Sequence, residues 1–176
     1  SKVISPNVIS VTGTLFGFLC ALLVFFEHPV AGAVSLLIAG FLDILDGAVA
    51  RSSGRVTRFG GFFDSVLDRY TDLAVMGAIM LVYMRHNEMG YALTGFVAVI
   101  GTALIPYARA RAEAASVQCK TGLLERPERT VLILIGLFIP FLLNYVVIVL
   151  AVLTHVTVIQ RIVHVWRETK KLDRKG

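Results

Sequence analysis

The sequence predicts an all-α integral membrane protein with six transmembrane helices. Three observations support this class: 56% of the 176 residues are hydrophobic, these residues come in long blocks, and short polar segments separate the blocks. Soluble domains contain about 45–50% apolar residues, whereas a transmembrane helix needs roughly 20 of them in succession. We therefore expect a single transmembrane domain over residues 1–176.

The apolar blocks define the predicted helices in chain order. The first block ends at Glu27 and His28, and the second begins at Pro29, a residue suited to the first turn of a helix. Pro106 and Pro140 fall late in the fourth and fifth blocks, where we expect them to kink the helices. The predicted spans are residues 8–26, 29–50, 60–84, 90–112, 127–143 and 145–166.

The basic residues predict the orientation and the partners. Of the 17 Lys and Arg residues, only Arg85 falls on the side that also holds Glu27 and Asn144. Because short cytoplasmic loops carry the excess of Lys and Arg, we expect both termini and the basic loops on the cytoplasmic face of the cell membrane. A net charge of +5 placed between apolar blocks indicates anionic lipid headgroups or phosphorylated substrates, and not nucleic acid.

Residues 43–68, DILDGAVARSSGRVTRFGGFFDSVLD, place four carboxylates beside apolar blocks. Asp43 and Asp46 are three residues apart, and Asp64 and Asp68 are four apart, so each pair shares one helix face. The connecting loop is short, about nine residues, and we expect helices two and three to be antiparallel neighbours. The four aspartates, called the acid quartet below, are then predicted to converge near the cytoplasmic surface.

The chemistry of such a quartet favours a divalent cation. Four carboxylates cannot all stay ionised without counter-charge, and all-oxygen ligation suits Mg²⁺, Mn²⁺ or Ca²⁺. Gly47 and Ala50 leave room for close approach to the backbone, while Arg51, Arg55 and Arg58 suit phosphate oxygens. This combination predicts a phosphoryl or pyrophosphate site. The alternatives are a structural hydrogen-bond acceptor and a proton or cation transporter.

The spacing of these residues resembles the signature of the CDP-alcohol phosphotransferase family. It reads D-xx-D-G-xx-A-R, then eight residues, then G-xxx-D-xxx-D, with every defined position present. The six-helix layout extends the resemblance across nearly the whole chain. Family members move a substituted phosphate from a CDP-alcohol to an acceptor hydroxyl and release CMP. The resemblance therefore implies a membrane-embedded transferase, one or two divalent ions (Mg²⁺ or Mn²⁺) as cofactor, and a homodimer.

The resemblance also implies a role for each residue of the signature. Asp43, Asp46 and Asp64 would bind the metal on the pyrophosphate. Asp68 would lie near the metal as well and would take the proton from the attacking hydroxyl. The CDP-substrate would be bound by Gly47, Ala50, Arg51, Gly60 and Asp64.

A second basic cluster bears on the acceptor. The segments YARARAEA, LLERPERT and IQRIVHVW contain Arg109, Arg126, Arg129 and Arg161. Several guanidinium groups together suit a doubly charged phosphate. These strings, with DRYTD at 68–72, resemble the phosphatidylinositol-phosphate synthases, in which a Lys typically stands where this chain has Arg109. The competing interpretation is ordinary positive-inside charge, paired with nearby glutamates.

We therefore expect transfer from CDP-diacylglycerol or CDP-archaeol to inositol phosphate. Within the family, the alternatives are a di-myo-inositol phosphate synthase that uses CDP-inositol, and a glycerol-phosphate or serine acceptor. A cation or proton transporter would need a second gate on the opposite side, where the acids are limited to Glu27 and Glu88. A scaffold would not need Asp68 beside three other acids.

The start of the chain departs from the family pattern. Members usually carry a short amphipathic helix before helix one, and SKVISPN leaves almost no room for it. We expect that part to lie upstream, either trimmed or joined to a further soluble domain.

Overall fold

A computed structural model describes residues 6–52, 54, 57–119 and 121–172. In this part of the chain, all regular structure is helical, which confirms the predicted all-α class. The helices are α1 Pro6–Phe25, α2 Pro29–Ser52, α3 Arg58–Arg85, α4 Met89–Ala114, α5 Arg126–Phe138 and α6 Leu143–Leu172. A 3-10 turn, Pro140–Leu142, separates α5 from α6. Arg55, predicted to face phosphate oxygens, lies outside the described residues.

Four helical segments are long and apolar enough to cross a membrane: Asn7–Phe25, Pro29–Ser52, Met89–Ala114 and Pro140–Lys171. The two remaining helices differ for separate reasons. With its 13 residues, α5 spans only about 20 Å, because each helical residue rises 1.5 Å. α3 is long enough but carries Asp68, Arg69 and Asp72 in its middle.

The fifth predicted span was too long, because its apolar pattern runs past the true helix end. α5 stops at Phe138, and Pro140 begins the 3-10 turn without kinking a longer helix. Ile139 leaves the helical conformation, with φ −124° and ψ 80°, and proline disfavours the helical conformation in the residue before it. Pro106, in contrast, lies inside the continuous helix α4.

The first helix organises the site end of the bundle. α1 packs against both α2 and α3, whereas α2 and α3 do not pack closely against each other along their length in the described residues. The two helices, predicted to be antiparallel neighbours, instead meet through side chains at the acid quartet, where Asp43 of α2 and Asp64 and Asp68 of α3 converge. Small residues let α1 come close to both: a Cβ at Gly13 would touch Ala39 O at 3.4 Å, and one at Gly17 would overlap Thr71. α1 thus leaves a gap between the facing sides of α2 and α3.

In the part of the chain that the structure describes, the remaining helices complete the bundle through four helix pairs. α3 packs on α4, α4 on α6, and α5 contacts both α2 and α6. Buried apolar side chains from these helices form one core that includes Val75, Met76, Ile79, Leu137 and Val147. Other large apolar side chains are exposed on the outside of the bundle, as expected for contact with lipid. They include Leu15, Leu37, Phe96, Val152 and Ile159.

Candidate active site

The acid quartet comes from the C-terminal half of α2 and the N-terminal half of α3. Asp43, Asp64 and Asp68 each offer a carboxylate oxygen, and these oxygens all lie within 4.8 Å of one another. All four aspartates line one cavity of about 20 Å³, closed by α1 and by Arg126. A cavity of this size holds about one water-sized particle. The structure thus brings together the four side chains that the sequence placed on two helices.

The side chain of Asp46 is held by α1. Ser10 Oγ donates a hydrogen bond to Asp46 Oδ2 at 2.6 Å, and Asp46 is almost fully buried. Residues of α1 were not predicted to belong to the site, because the signature begins at Asp43. Ser10 joins it because Gly13 and Gly17 allow α1 to sit against α2 and α3.

Arg126, the first residue of α5, is the positive group nearest the quartet's oxygens. Its Nη1 lies 2.8 Å from Asp43 Oδ2, and its Nη2 lies 2.7 Å from Asp68 Oδ1. The planar guanidinium presents donors in a fixed fork, which suits two carboxylates at once. Its Nε is buried, has no hydrogen-bond partner in the described residues, and lies 3.9 Å from Asp72 Oδ1.

These observations fit a divalent cation at the quartet. Among the described residues, one guanidinium, that of Arg126, pairs with the quartet, which has four carboxylates, so negative charge remains in excess. The donors are all oxygen, three of them converge within 4.8 Å, and the enclosed space has the size of a small ion. Mg²⁺ and Mn²⁺ prefer oxygen ligands of this kind.

A cavity of about 320 Å³ adjoins the quartet on the side of Asp46 and Asp64. We call it the glycine cavity. All five positions predicted for the CDP-substrate line it: Gly47, Ala50, Arg51, Gly60 and Asp64. Asn7, Ser10, Thr57 and Gly61 line it as well.

The glycines leave space in the glycine cavity because they have no side chains. A Cβ added at Gly47 would meet only the mobile guanidinium of Arg51, with the nearest atom at 3.2 Å, and one at Gly61 would meet nothing within 4 Å. The N-terminus of α3 is fixed at this cavity, because Thr57 Oγ1 accepts a hydrogen bond from the Gly60 amide at 2.9 Å.

A larger cavity of about 930 Å³ lies on the other side of the quartet, between α3 and α4. We call it the arginine cavity, because Arg69, Arg109 and Arg126 line it together with Asp68. Apolar residues such as Phe62 and Leu73 complete its wall. Arg109 is about half exposed and pairs with Glu113 at 3.0 Å.

Two of the four predicted acceptor arginines line the arginine cavity, and the other two are held by protein groups. Arg129 is buried, and its Nη2 donates to Asp72 Oδ2 at 2.7 Å. Asp72 also lies 3.5 Å from Arg69, so this carboxylate pairs with both of these arginines.

Arg161 is buried on α6 and joins three segments of the chain. Its Nε donates to Thr121 O at 2.9 Å, and its Nη1 donates to Ile105 O at 2.6 Å. Its Nη2 lies 3.3 Å from Glu125 Oε1. The guanidinium therefore ties α6 to α4 and to the segment before α5.

Comparison with known proteins identifies the family. The sequence model of the CDP-alcohol phosphatidyltransferases matches residues 3–159, nearly nine-tenths of the chain. The chain belongs to the CDP-alcohol phosphatidyltransferase family. The resemblance drawn from residues 43–68 is thereby confirmed, and so is the enzyme class.

Named relatives of this phosphatidyltransferase include inositol phosphate synthases from archaea and bacteria. The archaetidylinositol phosphate synthase of Methanothermobacter thermautotrophicus is 39% identical over 166 residues, which cover 89% of this chain and 83% of that protein. The phosphatidylinositol phosphate synthase of Mycobacterium tuberculosis is 32% identical over 181 residues, covering 97% of this chain and 83% of that one.

Solved structures similar to this fold include members of the same group of synthases. The Mycobacterium tuberculosis phosphatidylinositol phosphate synthase with CDP-DAG bound superposes with a TM-score of 0.87 at 31% identity, covering 93% of this chain and 87% of that chain. Its complex with manganese and citrate gives a TM-score of 0.86 at 32% identity, covering 93% and 83%. With four helices able to cross a bilayer, this phosphatidyltransferase is an integral membrane protein.

Proposed function

We propose that this phosphatidyltransferase moves a phosphatidyl or archaetidyl group from a CDP-lipid to inositol phosphate and releases CMP. One observation carries the proposal: the acid quartet stands between two cavities of different chemistry. Asp64 lines the glycine cavity, and Asp68, one helical turn later, lines the arginine cavity. A donor on one side and an acceptor on the other would meet at the quartet.

The donor half is the glycine cavity. Gly47, Ala50 and Gly60 would let the cytidine and pyrophosphate lie against the backbone of α2 and α3, while Arg51 would face phosphate oxygens. The lipid tails would pass sideways between helices near the inner leaflet. The CDP-DAG complex of the Mycobacterium tuberculosis relative supports a CDP-lipid as donor.

The quartet would hold the metal cofactor. Asp43, Asp46, Asp64 and Asp68 would bind one or two divalent ions, either Mg²⁺ or Mn²⁺, and the manganese complex of the relative supports this assignment. When bound, such an ion neutralises the pyrophosphate and stabilises the charge that develops on departing CMP. Ser10 would keep Asp46 oriented toward it.

The acceptor half is the arginine cavity and its surroundings. Arg109, Arg126, Arg129 and Arg161 would together hold the phosphate of inositol phosphate. Arg109 and Arg126 line the cavity, whereas Arg129 and Arg161 would act next to it.

Asp68 would serve as the general base of the reaction, since it lines both the small cavity of the acid quartet and the arginine cavity. Its carboxylate would take the proton of the inositol hydroxyl, whose oxygen then bonds to the lipid-side phosphorus. The bond from that phosphorus to the bridging oxygen would break, and CMP would leave with the electron pair.

The membrane arrangement belongs to the same proposal. All six helices of one domain would cross or enter the bilayer, with the active site and both termini at the cytoplasmic face of the cell membrane. α3 has no uncharged stretch of full membrane length because it carries Asp64 and Asp68 to the site, and the short helix α5 brings Arg126 there at its first residue. The enzyme would act as a homodimer, as the family resemblance implies.

A matrix of substrates tests the proposal. Purified protein with Mg²⁺ is offered CDP-diacylglycerol, CDP-archaeol or CDP-inositol, each with inositol phosphate, glycerol phosphate or serine, and CMP is measured. We expect rapid CMP release from a CDP-lipid with inositol phosphate. Faster release with CDP-inositol as donor, or with glycerol phosphate as acceptor, would reassign the substrate pair within the family.

A further inference from the structure

One side chain, that of Arg126, belongs to both halves of the site. It lines the arginine cavity, where it is proposed to bind the acceptor's phosphate. Its two terminal nitrogens nevertheless contact Asp43 Oδ2 at 2.8 Å and Asp68 Oδ1 at 2.7 Å. These are two of the three carboxylates whose oxygens converge closely enough to hold one cation.

The guanidinium and a divalent cation compete for these carboxylates. Both are positive, and like charges a few ångströms apart repel strongly in a partly buried site. A cation bound by Asp43, Asp64 and Asp68 must therefore displace Arg126 or bind against its charge. In either case, the contacts of Arg126 with Asp43 and Asp68 lower the affinity for the cation.

The surroundings of Arg126 provide a second position for its side chain. The residue stands at the very start of α5 and is about one quarter exposed. Its Nε makes no hydrogen bond in the described residues and lies 3.9 Å from Asp72 Oδ1. The arginine cavity lies alongside, and a phosphate there would offer the guanidinium oxygens equivalent to those of a carboxylate.

We propose that Arg126 is a positioning residue that couples the two halves of the site. Its guanidinium moves between the carboxylates of Asp43 and Asp68 and the phosphate of the acceptor. The phosphate thereby frees two metal ligands, and the metal frees the arginine for the phosphate. By linkage, each ligand raises the affinity of the other by the same factor. This inference rests on the proposed function, which supplies the phosphorylated acceptor.

Mn²⁺ binding tests the coupling without turnover. Free Mn²⁺ is followed by its electron paramagnetic resonance signal at pH 8, with and without inositol phosphate and without donor. For Arg126→Gln, we expect Mn²⁺ alone to bind about tenfold tighter than to the wild type, because the competing charge is gone. Inositol phosphate should tighten Mn²⁺ binding at least about fivefold in the wild type and by less than about twofold in the variant.

Two control variants separate the bridging contact from charge and from phosphate binding. Arg69→Gln removes a positive charge that lines the same cavity and pairs with Asp72. We expect its Mn²⁺ affinity to stay within about twofold of the wild type, since the screened charge does not touch the cation's ligands. Arg109→Gln should weaken the effect of inositol phosphate while leaving the affinity for Mn²⁺ alone unchanged.

The outcomes divide cleanly. Unchanged or weaker Mn²⁺ binding by Arg126→Gln, at a wild-type melting temperature, overturns the coupling. If that variant melts early, Arg126→Lys decides, because an ammonium cannot hold Asp43 and Asp68 in the two-pronged fork of a guanidinium and so competes less with the cation for these ligands. Binding tighter than wild type supports the coupling, and equal or weaker binding overturns it. If the wild-type protein binds no Mn²⁺, both the proposed metal centre and the coupling are overturned. If the wild type releases CMP but Arg126→Gln binds Mn²⁺ with wild-type affinity, the coupling alone is overturned.

Discussion

The glycine cavity and the arginine cavity differ in how they are built. The glycine cavity takes most of its lining from residues 46–64, a continuous stretch completed by Asn7 and Ser10 of α1. The arginine cavity is assembled from α3, α4 and the first residue of α5, which lie far apart in the chain. A pocket built from one helix–loop–helix segment leaves a readable spacing pattern in the sequence. A pocket built from distant helices leaves only scattered charges.

The largest expected effect on turnover is that of a substitution at Asp68, which lines both the quartet's small cavity and the arginine cavity. Asp68→Asn should lower CMP release by about a thousandfold, because the amide cannot accept the hydroxyl proton. Binding of the CDP-lipid should survive, since Asp43, Asp46 and Asp64 remain. Turnover and donor binding are measured on the same preparation. Release near the wild-type rate would remove Asp68 as the base.

The second prediction separates two arginines of the acceptor half. Arg161→Ala leaves the carbonyls of Ile105 and Thr121 without their donor, which costs about 1–3 kcal/mol each. We expect its melting temperature to fall by roughly 5–10 °C. Arg109→Ala removes a half-exposed side chain and should leave the melting temperature within about 2 °C.

Steady-state kinetics complete this comparison. Arg109→Ala should raise the KM for inositol phosphate by about tenfold and leave the donor KM unchanged, as expected for a lost charge-assisted hydrogen bond. Equal rises in both KM values would show that the arginine cavity does not discriminate the acceptor. A stable Arg161→Ala protein would show that its contacts with α4 and with Thr121 are not structural.

The smallest expected effect tests the glycine cavity alone. Gly47→Ala places a methyl group where the donor's backbone contact is proposed and should raise the donor KM by about fivefold, at the cost of roughly 1 kcal/mol of binding. Gly40→Ala, in the same helix and with nothing within 4 Å of the added Cβ, is the matched control. Both variants should fold normally, since alanine favours helix over glycine. Equal KM values for the two variants would contradict the assigned donor surface.

Sequence reasoning succeeded where the signal is local. α1, α2 and α4 begin and end within a few residues of the predicted spans, because lipid-facing helices need uninterrupted apolar runs. It failed for α5, whose apolar pattern continues beyond the helix end at Phe138. α6 continues to Leu172, past the predicted end at 166, because its basic last turns remain helical after the apolar residues stop.

The candidate site divides in the same way. Helical spacing was sufficient to gather the acid quartet, and the family resemblance supplied the five positions of the glycine cavity. Spacing did not predict the hydrogen bond from Ser10 to Asp46, because that contact depends on how closely α1 approaches α2. Nor did it predict that Arg126 contacts Asp43 and Asp68, since no spacing relates residues 83 positions apart.

The placement of Asp64 and Asp68 on one helix has a consequence for how such enzymes diversify. In the proposed reaction α3 aligns both partners, so a substitution that shifts this helix should disturb donor and acceptor together. The arginines proposed to bind the acceptor's phosphate sit on α4, α5 and α6. New acceptor specificities can therefore arise by changes in the second half of the chain, while the nucleotide chemistry encoded in the first half is inherited intact.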